Sequence, residues 1–388
     1  MLNSRIKRKD ISNFILYFIL LFSFFKPDYF NYNLTFVSKI YIVLQIISGI
    51  IIIILLLNKK KYPTIINYVL LFLLTLLFST YINNGDIVNC LKAILQTVAL
   101  SLIVDYGIKN NTRTFLNSFE FLLFILVFIN LITILLYPNG QYVNSTGYYS
   151  NWFLGYKNTH ILFIMPLVLI SLSNSYSKFN KLKFRNYIVI LISIISTILV
   201  ENSTGLVGLL IIVLFMKLPK KVQEFKIFNI IDYFIVYILS FISIILLRLQ
   251  NYFSFFIVDF LHKDLTFTGR TYIWDSVIDT IKDKLILGHG LVTFHYIANV
   301  YTTHNSLLDL LYKTGIIGFA LYLSIIYECL KELYKYRNHK ITKIISIIIF
   351  AYFIMMLTEA YPYDFIIFIF IFCYNVKFLI KKDGEYNE

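Results

Sequence analysis

The sequence predicts an all-α, polytopic membrane protein of about twelve transmembrane helices, with one large extracytoplasmic loop that carries an amphipathic helix. Three observations predict it. Of the 388 residues, 59% are apolar and only 14% are charged, against roughly 25% charged in soluble domains. A water-soluble chain of this size needs a polar coat that these residues cannot supply, which excludes a cytosolic enzyme and a disordered chain alike. The apolar residues also gather into runs near the ~20-residue length that crosses a bilayer. Finally, the net charge of +14 is unevenly placed along the chain.

In order, the apolar runs are 11–25, 34–57, 62–82, 87–108, 115–137, 153–173, 187–200, 204–216, 227–247, 305–327, 344–360 and 365–380. Pro27, Pro63, Pro138, Pro219 and Pro362 stand at run ends, where a helix can stop. Pro166 alone lies inside a run, and it predicts a kink there. The seventh and eighth runs are short, with Glu201-Asn202-Ser203 as a tight turn between them. They can also be read as one broken helix, but the basic residues on both flanks favour two.

The charges set the topology. With the N-terminus in the cytoplasm, the inner segments hold Arg5, Lys7, Arg8 and Lys9; Lys59, Lys60 and Lys61; Lys109 and Arg113; and Lys178, Lys181, Lys183 and Arg185. They also hold Lys217, Lys220, Lys221 and Lys226; Lys331, Lys335, Arg337, Lys340 and Lys343; and Lys381 and Lys382. These are 24 of the 35 basic residues. This is the positive-inside pattern. It puts both termini in the cytoplasm, and it accounts for the excess charge with no nucleic acid as a partner. Membrane lipid is the partner it does require.

The chain therefore reads as a single transmembrane domain over 1–388, within which 248–304 is the one large outer loop. A loop of that length is usually functional. It carries Arg248, Lys263, Arg270, Lys282 and Lys284, and His262, His289, His295 and His304. Inside it, Ile273, Trp274, Val277, Ile278 and Ile281 share one face of a predicted helix over Thr271–Lys284. Asp275, Asp279 and Asp283 share the other, so the helix would lie on the membrane surface.

Arg270 precedes that helix. A helix N-terminus exposes unpaired N–H groups and partial positive charge, so an arginine there suits phosphate or diphosphate. It equally suits a lipid headgroup or a neighbouring carbonyl. His304 opens the tenth run, where a neutral imidazole acts as a general base near pH 7. Asn305, Asp309 and Tyr312 continue on its face, and Lys313 is spaced to pair with Asp309. That stripe is either a site or interhelical glue, with Gly315 and Gly318 allowing close approach. Lys157 and His160 lie near the outer end of the sixth run, beside Trp152, where they either line a cavity or anchor the interface. Arg248, at the outer end of the ninth run, is a substrate ligand or a boundary anchor. Cys90, Cys329 and Cys373 form no CxxC pair, and the loop histidines lack ligand spacing, so no metal is expected. Motifs of zinc proteases, P-loop ATPases and serine hydrolases are missing from the sequence.

Several of these residues resemble one family. Thr268-Gly269-Arg270-Thr271-Tyr272-Ile273-Trp274, Leu287-Gly288-His289-Gly290, His304-Asn305-Ser306-Leu307-Leu308 and Gly315-Ile316-Ile317-Gly318-Phe319 follow in the order of the signature of the O-antigen polymerase and ligase superfamily. Gly155-Tyr156-Lys157-Asn158 resembles an earlier segment of that signature. Ser203-Thr204-Gly205-Leu206 resembles another, with Thr204 near the place of the family's arginine. The resemblance covers about 150–330.

It implies transfer of a glycan from an undecaprenyl-diphosphate carrier to a hydroxyl, on the outer face of the bacterial cytoplasmic membrane. The carrier is the leaving group, so no cofactor is implied. The partners implied are undecaprenyl-diphosphate-linked oligosaccharide and a chain-length regulator. His304 and Arg270 would be catalytic; Arg248, Lys157, His160 and Asn305 would bind substrate. The reading is a polymerase of lipid-linked repeat units for capsule, O-antigen or exopolysaccharide. The alternatives are a ligase that moves finished glycan to a terminal acceptor, and a flippase or transporter of lipid-linked sugars.

Overall fold

A computed structural model describes residues 2–57, 63–143, 150–225, 227–249, 269–292 and 302–380. Lys59, Lys60, Lys61, Lys226, Lys381, Lys382, His262, Lys263, His295 and Thr268 lie outside the described residues. The chain is a bundle of helices, and each of the twelve apolar runs is mostly helical over its described residues. Lipid offers no partner for backbone N–H and C=O groups, so an apolar run must satisfy them within itself.

The first half comprises α1 (Leu2–Phe22), the short α2 (Tyr29–Tyr32), α3 (Thr35–Leu56), α4 (Thr64–Ile82) and α5 (Ile87–Leu136). Next come α6 (Ile161–Phe179), α7 (Phe184–Leu199), α8 (Ser203–Lys217), α9 (Lys220–Gln223) and α10 (Ile230–Ser240), the last continued by a π-helical turn, Phe241–Leu246. The remainder is α11 (Arg270–Asp283), α12 (Ser306–Lys335), α13 (Lys340–Met356), α14 (Tyr363–Tyr374) and α15 (Val376–Ile380). Among the described residues, α3, α4, α5, α6 and α12 are each long and apolar enough to cross a membrane. The protein is thus a helical membrane protein.

Burial grades across the bundle. In α14, every residue from Ile366 to Cys373 is buried, and α13 is nearly so. In α3, Phe36, Val43, Ile46, Ile50 and Ile53 are exposed, as lipid-facing side chains would be. Phe25 joins the buried region, with its ring 5.3 Å from Phe119 on α5 and 5.7 Å from Phe368 on α14. Such aromatic pairs contribute about 0.5–1.5 kcal/mol beyond their buried area.

Three details depart from the sequence reading. The fourth and fifth runs lie on one 50-residue helix, α5, broken only at Asn111, whose φ is −153° and ψ 74°. Asn111 caps the second half by accepting from the Thr114 N–H at 3.2 Å. The sixth run begins later than expected, at Ile161. Residues 153–160 instead belong to a hairpin, with β1 (Asn151–Trp152) antiparallel to β2 (Gly155–Tyr156), and to the turn after it. Gly155, at φ +108°, permits that turn where a continuous helix would not. Trp152 is therefore buried, not interfacial, and its indole donates to Tyr137 O at 2.7 Å. The third departure is a break in α12 at Gly315, described with the site. The seventh and eighth runs are two separate helices, turned by Glu201 at φ +55° and capped by Asn202, which accepts from Gly205 N–H at 2.8 Å. α6 continues through Pro166 as one helix.

At the end of the bundle remote from α11, basic residues meet buried acids. Lys109 pairs with Asp105 at 2.6 Å, and Arg185 with Glu120 at 3.2 Å. Glu120 also accepts from Ser171 Oγ at 2.9 Å and from Asn174. These acids are neutralised where they sit, which makes their burial tolerable.

Candidate active site

Gly269, at φ +82°, is the N-cap of α11, and Arg270 is its first residue. The expected amphipathic pattern is present, with Ile273, Trp274, Val277 and Ile281 buried and Asp275, Asp279 and Asp283 exposed. The apolar face packs on the protein, Trp274 and Val277 completely so. It does not lie open on a membrane surface, because the bundle itself offers the apolar partner.

Arg270 Nη2 donates to Glu359 Oε1 at 2.6 Å. The other carboxylate oxygen, Oε2, stands 3.6 Å from His304 Nδ1. Glu359 is only 8% exposed, and His304 Nδ1 is buried with no hydrogen-bond partner among the described residues. One buried carboxylate thus holds the arginine with one oxygen and faces the histidine with the other. Tyr361 is packed beside them. Burial pushes its phenol well above the usual range, the Glu359 charge adds to this, and Arg270 offsets part of it.

Local structure holds this cluster in place. Asn305 is the N-cap of α12: its Oδ1 accepts from Leu308 N–H at 2.9 Å, and its Nδ2 donates to Leu357 O at 3.0 Å. Ser306 Oγ donates to Glu359 O at 2.9 Å and accepts from Tyr361 N–H at 3.1 Å. Both residues therefore tie the start of α12 to the α13–α14 turn that carries Glu359. Asn305 is fully buried and committed at both ends of its amide, so it positions the site rather than facing a ligand. His304 has φ +48°, an uncommon conformation for a non-glycine residue and one that clusters at functional sites.

A cavity of about 270 Å³ opens beside Arg270. Trp274, Ser203, Thr204 and Thr358 help line it. Thr204, which stands near the place of the family's arginine, is thus in the cavity wall. Arg248 approaches from the end of the π-helical turn. Its Nη2 donates to Thr271 O at 3.0 Å and to Asp275 Oδ1 at 2.5 Å, and its guanidinium lies 5.2 Å from the Trp274 ring centroid. Its Nη1 is buried with no hydrogen-bond partner among the described residues.

Lys157 and His160 are not brought to the carboxylate. The Lys157 carbonyl accepts from Asn202 Nδ2 at 2.8 Å, which places its backbone next to the Ser203–Thr204 wall. His160 is 1% exposed. Its Nε2 lies 2.9 Å from Gly155 O and its Nδ1 3.3 Å from Asn130 Nδ2, so both ring nitrogens serve the hairpin and none is left for a substrate.

The glycine motifs build the frame beneath. α12 breaks at Gly315, with φ +59° and ψ −165°. The backbone after α11 docks into that break. Ile316 N–H donates to Leu285 O at 2.9 Å, His289 N–H to Tyr312 O at 2.7 Å, and Gly290 N–H to Lys313 O at 2.9 Å. A Cβ on Gly288 would lie 2.5 Å from Gly315 N, closer than real Cβ atoms approach. His289 stacks on Tyr312 at 4.6 Å. The polar stripe is real as well, with Lys313 donating to Asp309 at 2.6 Å.

Sequence reasoning missed Glu359. One signal was present: an ionisable residue inside the apolar run 344–360, which is a functional candidate by default.

Residues 151–323 match the model of the Wzy_C family, O-antigen ligase. Arg270, His304 and the frame around Gly315 all fall inside that match, and Glu359 falls outside it. No curated protein matches the chain. The matched domain is consistent with the O-antigen polymerase and ligase superfamily, whose members are glycan-processing membrane enzymes.

Proposed function

We propose that the protein is a polymerase of lipid-linked oligosaccharide repeat units, moving the growing glycan from undecaprenyl diphosphate onto the incoming unit. The observation that carries this reading is that Arg270 and His304 meet across one buried carboxylate. Glycan transfer needs a cation for the departing diphosphate and an acceptor for the hydroxyl proton. Arg270 supplies the first, with Arg248, whose Nη1 has no hydrogen-bond partner among the described residues, as its partner in place of the arginine replaced by Thr204. His304 supplies the second. Lys157, whose backbone Asn202 holds next to the Ser203–Thr204 wall, binds donor phosphate or sugar in this reading. Asn305 orients the start of α12, and His160 supports the hairpin that carries Lys157.

The twelve helical runs each cross the bacterial cytoplasmic membrane, and the site faces outward. α5 supports this count: at about 1.5 Å per residue its length is roughly 75 Å, more than twice the ~30 Å hydrocarbon core, with the Asn111 break between the two crossings. Inward-facing lysines and arginines follow from the same topology.

His304→Ala and Arg270→Ala should each abolish chain lengthening in cells while leaving protein level and membrane insertion intact. Normal chain length in both variants would refute the roles. The matched family's description, O-antigen ligase, favours a second reading: transfer of finished glycan to a terminal acceptor. Deleting a polymerase leaves single repeat units on the carrier, whereas deleting a ligase leaves long chains there.

A further inference from the structure

The geometry points to Glu359 as a shuttling carboxylate that makes His304 competent only after a diphosphate has taken Arg270. The inference rests on the reading above of Arg270 as diphosphate ligand and His304 as proton acceptor. It goes beyond that reading by assigning an order and a coupling to the site.

The strong contact of this carboxylate is on one side. Oε1 receives the Arg270 guanidinium at 2.6 Å, while Oε2 remains 3.6 Å from His304 Nδ1. That second distance is longer than a hydrogen bond, and Nδ1 has no other hydrogen-bond partner among the described residues. The imidazole therefore faces the carboxylate charge within ion-pair range but is not held by a hydrogen bond at Nδ1. Among the described residues, the charged and titratable groups at the carboxylate are Arg270, His304 and the Tyr361 phenol.

A diphosphate is a stronger partner for a guanidinium than a single carboxylate, through its greater charge and bidentate geometry. Once Arg270 turns to it, Glu359 is a buried anion without its cation, which is costly. The nearest group that can relieve it is His304 Nδ1–H, and closing the gap takes less than 1 Å to reach hydrogen-bond distance. With Nδ1–H donating to Glu359, Nε2 is the free base.

The transfer then balances. The acceptor hydroxyl oxygen bonds to the donor's anomeric carbon as that carbon's bond to the diphosphate oxygen breaks. The bonding pair leaves on the diphosphate, and the hydroxyl proton passes to His304 Nε2. Glu359 stabilises the imidazolium so formed. Before donor arrives the base is disengaged, so acceptor or water is not activated early.

The test uses the full chain purified in detergent, with inorganic pyrophosphate and farnesyl diphosphate as binding probes and lipid-linked repeat units for turnover. Glu359→Gln keeps the shape and removes the charge. It frees Arg270, so pyrophosphate should bind about two- to fivefold tighter. It also deprives His304 of its anion, so turnover at saturating donor should fall roughly 10²-fold. Glu359→Asp should return pyrophosphate affinity to the wild-type value and recover part of the turnover.

A residue that only props Arg270 in place would give the opposite sign, weaker pyrophosphate binding in Glu359→Gln. That result, or unchanged turnover, overturns the inference. Should Glu359→Gln fail to fold, the wild-type chain decides. ¹⁵N-labelled imidazole signals, assigned with His304→Gln, should gain a hydrogen-bonded Nδ1–H at His304 when pyrophosphate is added, and an unchanged signal overturns the coupling. Arg270→Ala separates the layers. If it binds pyrophosphate like wild type, the reading of Arg270 itself fails. If it loses binding while Glu359→Gln also binds more weakly, only the coupling fails.

Discussion

Gly315→Ala is the sharpest structural test of how the site is framed. Gly315 has φ +59° and ψ −165°, a region essentially reserved for glycine, and holding another residue there costs about 1–3 kcal/mol. Space adds to the cost. The new Cβ would strike the Ile286 carbonyl and would stand 2.6 Å from Gly288 N, and both are backbone atoms that cannot rotate away. Overpacking of this kind costs about 1–3 kcal/mol more. The sum, roughly 2–6 kcal/mol, is comparable with the whole stability of many domains.

The strain can be relieved only by closing α12 into a regular helix. That would eject the 285–290 backbone and break the hydrogen bonds of Ile316, His289 and Gly290 described above. It would also turn the first half of α12, and with it His304. The expected outcome is a fall in thermal midpoint of the detergent-purified chain together with loss of chain lengthening. Gly49→Ala is the control. Its nearest neighbour would be Ala99 Cβ at 3.9 Å, an ordinary contact, so a neutral effect or a gain of up to ~1 kcal/mol is expected. A Gly315→Ala protein with wild-type melting and wild-type chain length would refute the requirement for the break.

Other consequences can be measured directly. Ser306→Ala removes both bonds that tie α12 to the Glu359 turn and should cost about 1–3 kcal/mol by thermal unfolding, since the Tyr361 N–H is left unpaired. Arg248→Ala gives up a screened ion pair to exposed Asp275, the bond to Thr271 O and the packing over Trp274, so about 1–3 kcal/mol of stability should be lost. Its effect should appear in donor KM, raised roughly tenfold, or about 1.4 kcal/mol, with kcat nearly unchanged. Asp86 caps α5 by accepting from Asn89 N–H at 3.0 Å, and that bond holds its carboxyl below the usual range. A depressed carboxyl stabilises the fold above its unfolded pKa near ~3.9, and the contribution is lost as pH falls through the folded value beneath it. Thermal unfolding should therefore respond less to acid in Asp86→Asn than in wild type.

The helices were legible because their cause is local. Each apolar run carries its own hydrogen bonds and meets lipid or apolar side chains, so length and composition suffice to locate it. The face of α11 was legible for the same reason, through the 3.6-residue spacing of Ile273, Trp274, Val277 and Ile281. The Asp309–Lys313 pair was too, since i, i+4 neighbours must meet on a helix. What was hidden depends on distant chain. Arg270 and Glu359 are 89 residues apart, and no periodicity links them. The break at Gly315 exists because the backbone of 285–290 fills it, so a glycine read as a packing aid turned out to be a hinge for a docked segment. The hairpin at 151–156 is likewise fixed by Asn130 and His160, which reach it from α5 and from the start of α6. His160 looked like a site residue because a histidine near a helix end usually invites that reading. Burial and two engaged nitrogens give it a structural role.

In the proposed function, Arg270 and His304 form one glycan-transfer site on a lipid-linked donor. The measurement that tests it most directly is a reconstituted reaction of the purified chain with undecaprenyl-diphosphate-linked repeat units and no other protein. Products would be resolved by length, and released undecaprenyl diphosphate would be counted against bonds formed. The expected products are a ladder of lengthening chains with one carrier released per bond, and neither ladder nor release with His304→Ala or Arg270→Ala. A wild-type chain that binds the lipid-linked units yet forms no glycosidic bond, or variants that lengthen chains at the wild-type rate, would contradict that function.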